Sequence, residues 1–134
     1  MKCASNKRRA QLPRHPAPWL AAFAVWFGTL WWLSSGQRDL PLGEDIQFID
    51  KVYHFGYYFG GAIILGAALQ RPPGAVAKPL LLTMAGIAMI GATDEFHQSF
   101  VPGRSGNDPT DWSADVSGGI CGAWIARRFF KPKG

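Results

Sequence analysis

Three short stretches of this sequence hold residue types suited to acid–base, metal or phosphate chemistry. Asp50 and His54 are four apart in IDKVYHF. Asp94 stands three before His97 and four before Gln98 in DEFHQ, and Asp111 stands four before Asp115 in DWSAD. Residues three or four apart share a helix face, so each stretch predicts one polar face. Lys51 and Arg104 are the only cations near these groups along the chain.

Several chemistries fit. A carboxylate beside an imidazole is the general-base arrangement of a hydrolase or group transferase, with His54, Asp94, Glu95 and Asp111 as candidate catalytic residues. The same four are of the types that hold a divalent metal, although their spacing matches no standard metal motif. DEFHQ is not HExxH, because Glu95 and His97 are two apart and face different ways on a helix. Binding is another reading, with Asp50, Lys51, Gln98, Arg104 and Asp115 as ligand contacts. Lys51 and Arg104 suit a phosphate, His54 can add a hydrogen bond, and the carboxylates suit sugar or amine groups. In a structural reading, the charges only tie helix ends together. No organic cofactor is predicted, and a divalent metal is compatible with these residues.

Four apolar segments flank these stretches and must position them. They are Ala17 to Ser35, Val52 to Leu69, Pro79 to Thr93 and Trp112 to Ala126. The first has no charge and carries Trp near both ends, the pattern of a spanning helix with interfacial anchors. A span takes about 20 residues to cross roughly 30 Å of hydrocarbon, so the shorter runs must recruit their polar neighbours. Helices are therefore expected at about 17–35, 50–70, 78–98 and 110–130. A basic tail with no fold is expected over 1–16, and a basic tail over 131–134.

The distribution of charge favours a membrane over a soluble bundle. With the N-terminus in the cytoplasm, eleven of the fourteen Lys and Arg residues fall inside, and all nine Asp and Glu residues fall outside. Only Arg38, Lys51 and Arg104 are basic and outside. This satisfies the positive-inside rule at every loop. Trp31 and Trp32 stand where a signal peptide would need small residues before its cleavage site, so the first segment reads as an anchor. Cys3 and Cys121 suggest no disulfide. The basic tails read as topology signals and lipid-surface contacts, with no nucleic-acid partner.

The expectation is an all-α, four-span protein of a bacterial inner membrane, with both termini cytoplasmic and membrane lipids as partners. Ionisable groups facing lipid cost about 2.5–3.5 kcal/mol each, so the polar faces should turn inward and meet. The product is a polar pocket on the outer side, roofed by the loop Phe100 to Asp108. Gly56 with Gly60, and Gly118 with Gly122, are spaced for close helix packing. The inner halves of the spans carry no ionisable group, which disfavours a transport path. Tyr53, Tyr57 and Tyr58 read as packing or belt residues.

DKVYHF, DEFHQSFVPGRS and DWSADVSGG occur in the order and spacing of the VanZ-like family of small bacterial membrane proteins. The resemblance covers roughly Asp50 to Gly122. It implies functional weight for Asp50, Lys51, His54, Asp94, Glu95, Gln98, Arg104 and Asp111, and places His97 on a variable position. The family's founding member is associated with low-level teicoplanin resistance, which implies a cell-envelope ligand, such as a lipid-linked anion. Asp115 departs from the family pattern, which has Asn there, and adds a potential negative charge.

Overall fold

A computed structural model of the chain describes residues 15–36, 48–70 and 78–130. Residues 1–14 of the expected tail 1–16, and the tail 131–134, lie outside these residues, as do Arg38, Asp39, Glu44, Asp45 and Arg71. The described residues form four helices and no strand: α1 (Ala17–Ser34), α2 (Ile49–Leu69), α3 (Pro79–Gln98) and α4 (Pro109–Phe130). Two of them, α2 and α3, are long and apolar enough to cross a membrane.

Starts and stops follow local chemistry. Pro79 and Pro109 each open a helix, where a missing N–H costs nothing. Asp108 caps α4: its Oδ1 accepts the Thr110 N–H at 2.8 Å and the Thr110 hydroxyl at 2.7 Å. The α3–α4 connection folds back over the end of α3, with the Asn107 N–H donating to the Glu95 carbonyl at 3.2 Å. Gly103 supplies a φ of 80° in this turn, and a side chain on Gly106 would collide with the Ser99 backbone.

The helices run alternately up and down. The end of α1, the start of α2, the end of α3 and the start of α4 meet at one level. At the opposite level, Gly66 packs on Ala126 and Thr83, and Trp19 meets Phe130 edge to face. Helices α2 and α4 form the closest pair. A Cβ on Gly118 or Gly122 would run into the carbonyl oxygen of Phe55 or Phe59, so bare glycine lets the two backbones touch. Gly56 and Gly60 do not take part: a Cβ on either meets nothing within 4 Å. The close approach on the α2 side is made instead at Gly61, which receives the Trp26 ring, and at Gly66.

Helix α1 packs on α2 through Trp26. Its indole N–H donates to the Tyr57 carbonyl at 3.1 Å, and the Tyr57 hydroxyl donates back to the Trp26 carbonyl at 2.8 Å. Trp26, Leu30, Tyr58, Ala62 and Ile87 form the buried apolar core. The outer faces are strongly apolar on every helix, with Val25 and Met89 each 71% exposed and Phe129 69% exposed. Cys121 is exposed and unpaired.

Candidate functional site

The level where α1 ends and α2 begins gathers nearly all the singled-out residues. They sort into three linked groups, from the core to the rim.

The innermost group centres on Asp94. Its carboxylate accepts the Ser34 hydroxyl of α1, the Tyr58 hydroxyl of α2 at 3.3 Å and the Gln98 amide of α3 at 2.8 Å. The Ser34 hydroxyl has one proton and also lies 2.9 Å from the Leu30 carbonyl, so it serves one acceptor at a time. Gln98 Oε1 accepts from the Arg104 guanidinium at 2.9 Å. Arg104 is one of the two cations expected near these carboxylates. Among the described residues it forms no salt bridge, and it orients Gln98 instead. Both oxygens of Asp94 are thus occupied by donors that join three helices.

The middle group is His54, Glu95 and Asp115. His54 Nδ1 lies 2.9 Å from Asp115 Oδ1, and His54 Nε2 lies 3.9 Å from Asp111 Oδ2. Asp115 has no exposed surface and Glu95 is only 4% exposed. Glu95 Oε2 accepts the Asp108 N–H at 2.8 Å. The other oxygens, Glu95 Oε1 and Asp115 Oδ2, have no hydrogen-bond partner among the described residues. One donor atom from each of these three residues lies within 4.8 Å of the other two.

The outer group surrounds Lys51. Its ammonium pairs with Asp50 at 2.8 Å, Asp108 at 3.4 Å and Asp111, so its three protons have three carboxylates. Asp50 stands at the rim, nearly half exposed. The Thr110 hydroxyl and N–H beside Asp108 hold that loop carboxyl down to about 2, well below its ordinary value. His97 lies apart from the cluster, stacked on Trp31 at 4.1 Å and hydrogen-bonded to Ser35 at 3.2 Å.

A polar pocket was expected at this level. The described polar groups pack closely against one another, and one cavity beside them is an open, mainly apolar groove of about 370 Å³ between α2 and α4. Val52 and Phe55 of α2 and Ala114 and Ser117 of α4 line it, and Lys51 is the one charged residue on its wall. The donor set within metal reach also differs from the expected one: Asp115 joins His54 and Glu95, while Asp94 bonds Ser34, Tyr58 and Gln98 and Asp111 is tied to Lys51.

Sequence reasoning passed over three participants. Tyr58 is four residues from His54, so the shared face was available as a signal. Asp108 was read only as the end of the loop over the pocket, and Ser34 only as part of the uncharged first segment. By charge, Asp50, Asp94, Glu95, Asp108, Asp111 and Asp115 face at most three cationic groups, Lys51, Arg104 and His54. Such a site favours cations, amines and hydroxyl donors over a bare anion.

These features define a class: four alternating helices with an acid-rich cluster, carrying one imidazole, enclosed at one end. The family model VanZ/LLP1 matches residues 4–131, and the chain belongs to that family. Comparison with curated proteins and with solved structures gives no match.

Proposed function

We propose that this chain is a four-span protein of the bacterial cytoplasmic membrane whose outward end holds the headgroup of an envelope lipid. Family membership and the two apolar helices support a membrane location. The exposed Val, Met, Phe and Trp side chains on all four helices support it further, since water would leave them unpartnered and hydrocarbon would not. Charge supports the orientation: Lys78, Arg127 and Arg128 lie at the end away from the cluster, and by the positive-inside rule that end is the cytoplasmic one in this reading.

One observation carries the ligand class. The groove between α2 and α4 is apolar along Val52, Phe55 and Ala114 and ends at Lys51 with its carboxylates. That is the polarity profile of a lipid, with acyl chain beside the helices and headgroup at the rim. Asp50 and Asp108, both partly exposed, accept from an amine or hydroxyl on the head, and the Lys51 ammonium they hold at the rim attracts the head's phosphate through space. A purely structural role is the second reading for Asp94 alone, because its carboxylate bonds donors of three helices within the bundle.

Native mass spectrometry of the protein released from nanodiscs of equal phosphatidylethanolamine, phosphatidylglycerol and phosphatidylcholine tests the reading. Retention of the first two over phosphatidylcholine, whose quaternary ammonium donates no hydrogen bond, is expected. Replacing both Asp50 and Asp108 with Ala should remove the preference. Equal retention of all three lipids contradicts it.

A further inference from the structure

We infer that His54, Glu95 and Asp115 form a buried binding site for one divalent first-row metal ion. The three residues come from three different helices, α2, α3 and α4, and nothing in their sequence spacing joins them.

Geometry is the first argument. Three atoms no more than 4.8 Å apart share a point within about 2.8 Å of each. Metal–ligand distances to imidazole nitrogen and carboxylate oxygen are about 2.0–2.2 Å, so each donor need move only about 0.6–0.8 Å inward. A displacement of that size is of the order that small side-chain rotations give.

The second argument is independent of the first. Two of the three residues carry a buried oxygen with no hydrogen-bond partner among the described residues, Glu95 Oε1 and Asp115 Oδ2. Both residues are more than nine-tenths buried. Buried carboxylate oxygens are satisfied by donors or by metals, and several of the neighbouring donors are already committed. Ser34, Tyr58 and Gln98 serve Asp94, Lys51 serves the outer carboxylates, and Trp112 donates to the Ala88 carbonyl at 3.0 Å. Gly91 leaves room where a Cβ would sit 2.9 Å from Asp115 Oδ2.

Electrostatics gives the sign. Glu95, Asp111 and Asp115 lie around one imidazole, and among the described residues the one ammonium in contact, Lys51, touches Asp111. A doubly charged ion would offset two of these carboxylates. Two carboxylates with one imidazole suit Zn²⁺ or Mn²⁺ better than Mg²⁺, which prefers an all-oxygen shell.

The test uses the full-length protein in detergent, stripped with a chelator, desalted and then titrated with Mn²⁺ under electron paramagnetic resonance. One Mn²⁺ is expected per chain, with nitrogen coupling from the imidazole in the spin-echo envelope. Glu95→Gln and Asp115→Asn should each weaken binding by tenfold or more, as metal-site substitutions do. His97→Gln should leave it unchanged, because His97 lies outside the site. Should a variant fail to fold, the stoichiometry and nitrogen coupling of the wild type still decide. Lack of stoichiometric uptake, bound Mn²⁺ without nitrogen coupling, or full affinity in Glu95→Gln would each overturn the site. No lipid enters this experiment, so its outcome is separate from that of the headgroup reading.

Discussion

Replacing Asp94 with Ala should loosen three helices at once. The substitution removes the only carboxylate that joins Ser34, Tyr58 and Gln98. Ser34 loses little, because its hydroxyl falls back on the Leu30 carbonyl. Tyr58 and Gln98 are left as buried donors, at 1% and 3% exposure. Two bonds to a charged acceptor at about 1.5–3 kcal/mol each give about 3–6 kcal/mol. Interhelical hydrogen bonds within hydrocarbon have averaged nearer 0.6 kcal/mol, which pulls the low end down. A loss of about 2–5 kcal/mol is therefore expected, a large share of the roughly 5–15 kcal/mol that holds a domain. Asp94→Asn keeps one carboxyl-type oxygen and should lose about half as much. Thr93→Ala, at the exposed neighbouring position, should stay within about 0.5 kcal/mol. Reversible unfolding in mixed micelles, followed by circular dichroism, measures all three. If Asp94→Ala unfolds with wild-type stability, the central tie assigned to this carboxylate does not exist.

Other expectations follow from the same contacts. Gly118→Ala should destabilise by about 1–3 kcal/mol, because its Cβ meets the Phe55 carbonyl, while Gly60→Ala should be neutral; thermal unfolding distinguishes them. Lys51→Met should be more harmful than Arg104→Met, since Lys51 separates three carboxylates and Arg104 touches only Gln98; expression and thermal stability report this. The cap at α4 should survive mild acid. Asp108 is held down to about 2 by Thr110, so its contribution is complete above about pH 4 and is lost as pH falls through about 2. The Thr110 amide resonance in micelles should move only in that lower window, and a change centred near pH 4 would remove the cap from the account.

Much of the fold was legible because charge patterning is coarse and helices are local. Runs such as APWLAAFAVWFGTLWW can form little but a helix, and Pro79 and Pro109 mark helix starts. That Asp50, His54, Asp94, Gln98, Asp111 and Asp115 would share one level also followed from alternating helices. Their partners did not. Helix rotation decides which face meets which, and it is set by contacts such as Gly118 on Phe55, which glycine spacing alone does not single out. Gly56 and Gly60 have the same spacing as Gly118 and Gly122 and touch nothing. The bonding of Asp94 was equally hidden, because it depends on Ser34 and Tyr58 from two other helices. Nor could spacing distinguish an open polar pocket from a packed cluster beside an apolar groove.

The most direct test of the account is the side of the membrane on which the cluster lies. With Cys3 and Cys121 replaced by Ser, a single cysteine at Ser105, beside the cluster, or at Lys78, at the opposite end, is treated in intact cells with a membrane-impermeant maleimide. Labelling of Ser105→Cys from outside, with Lys78→Cys reacting only after the membrane is opened, is the predicted result. Labelling of Lys78→Cys in intact cells with Ser105→Cys protected would place the acids and His54 in the cytoplasm and contradict the account.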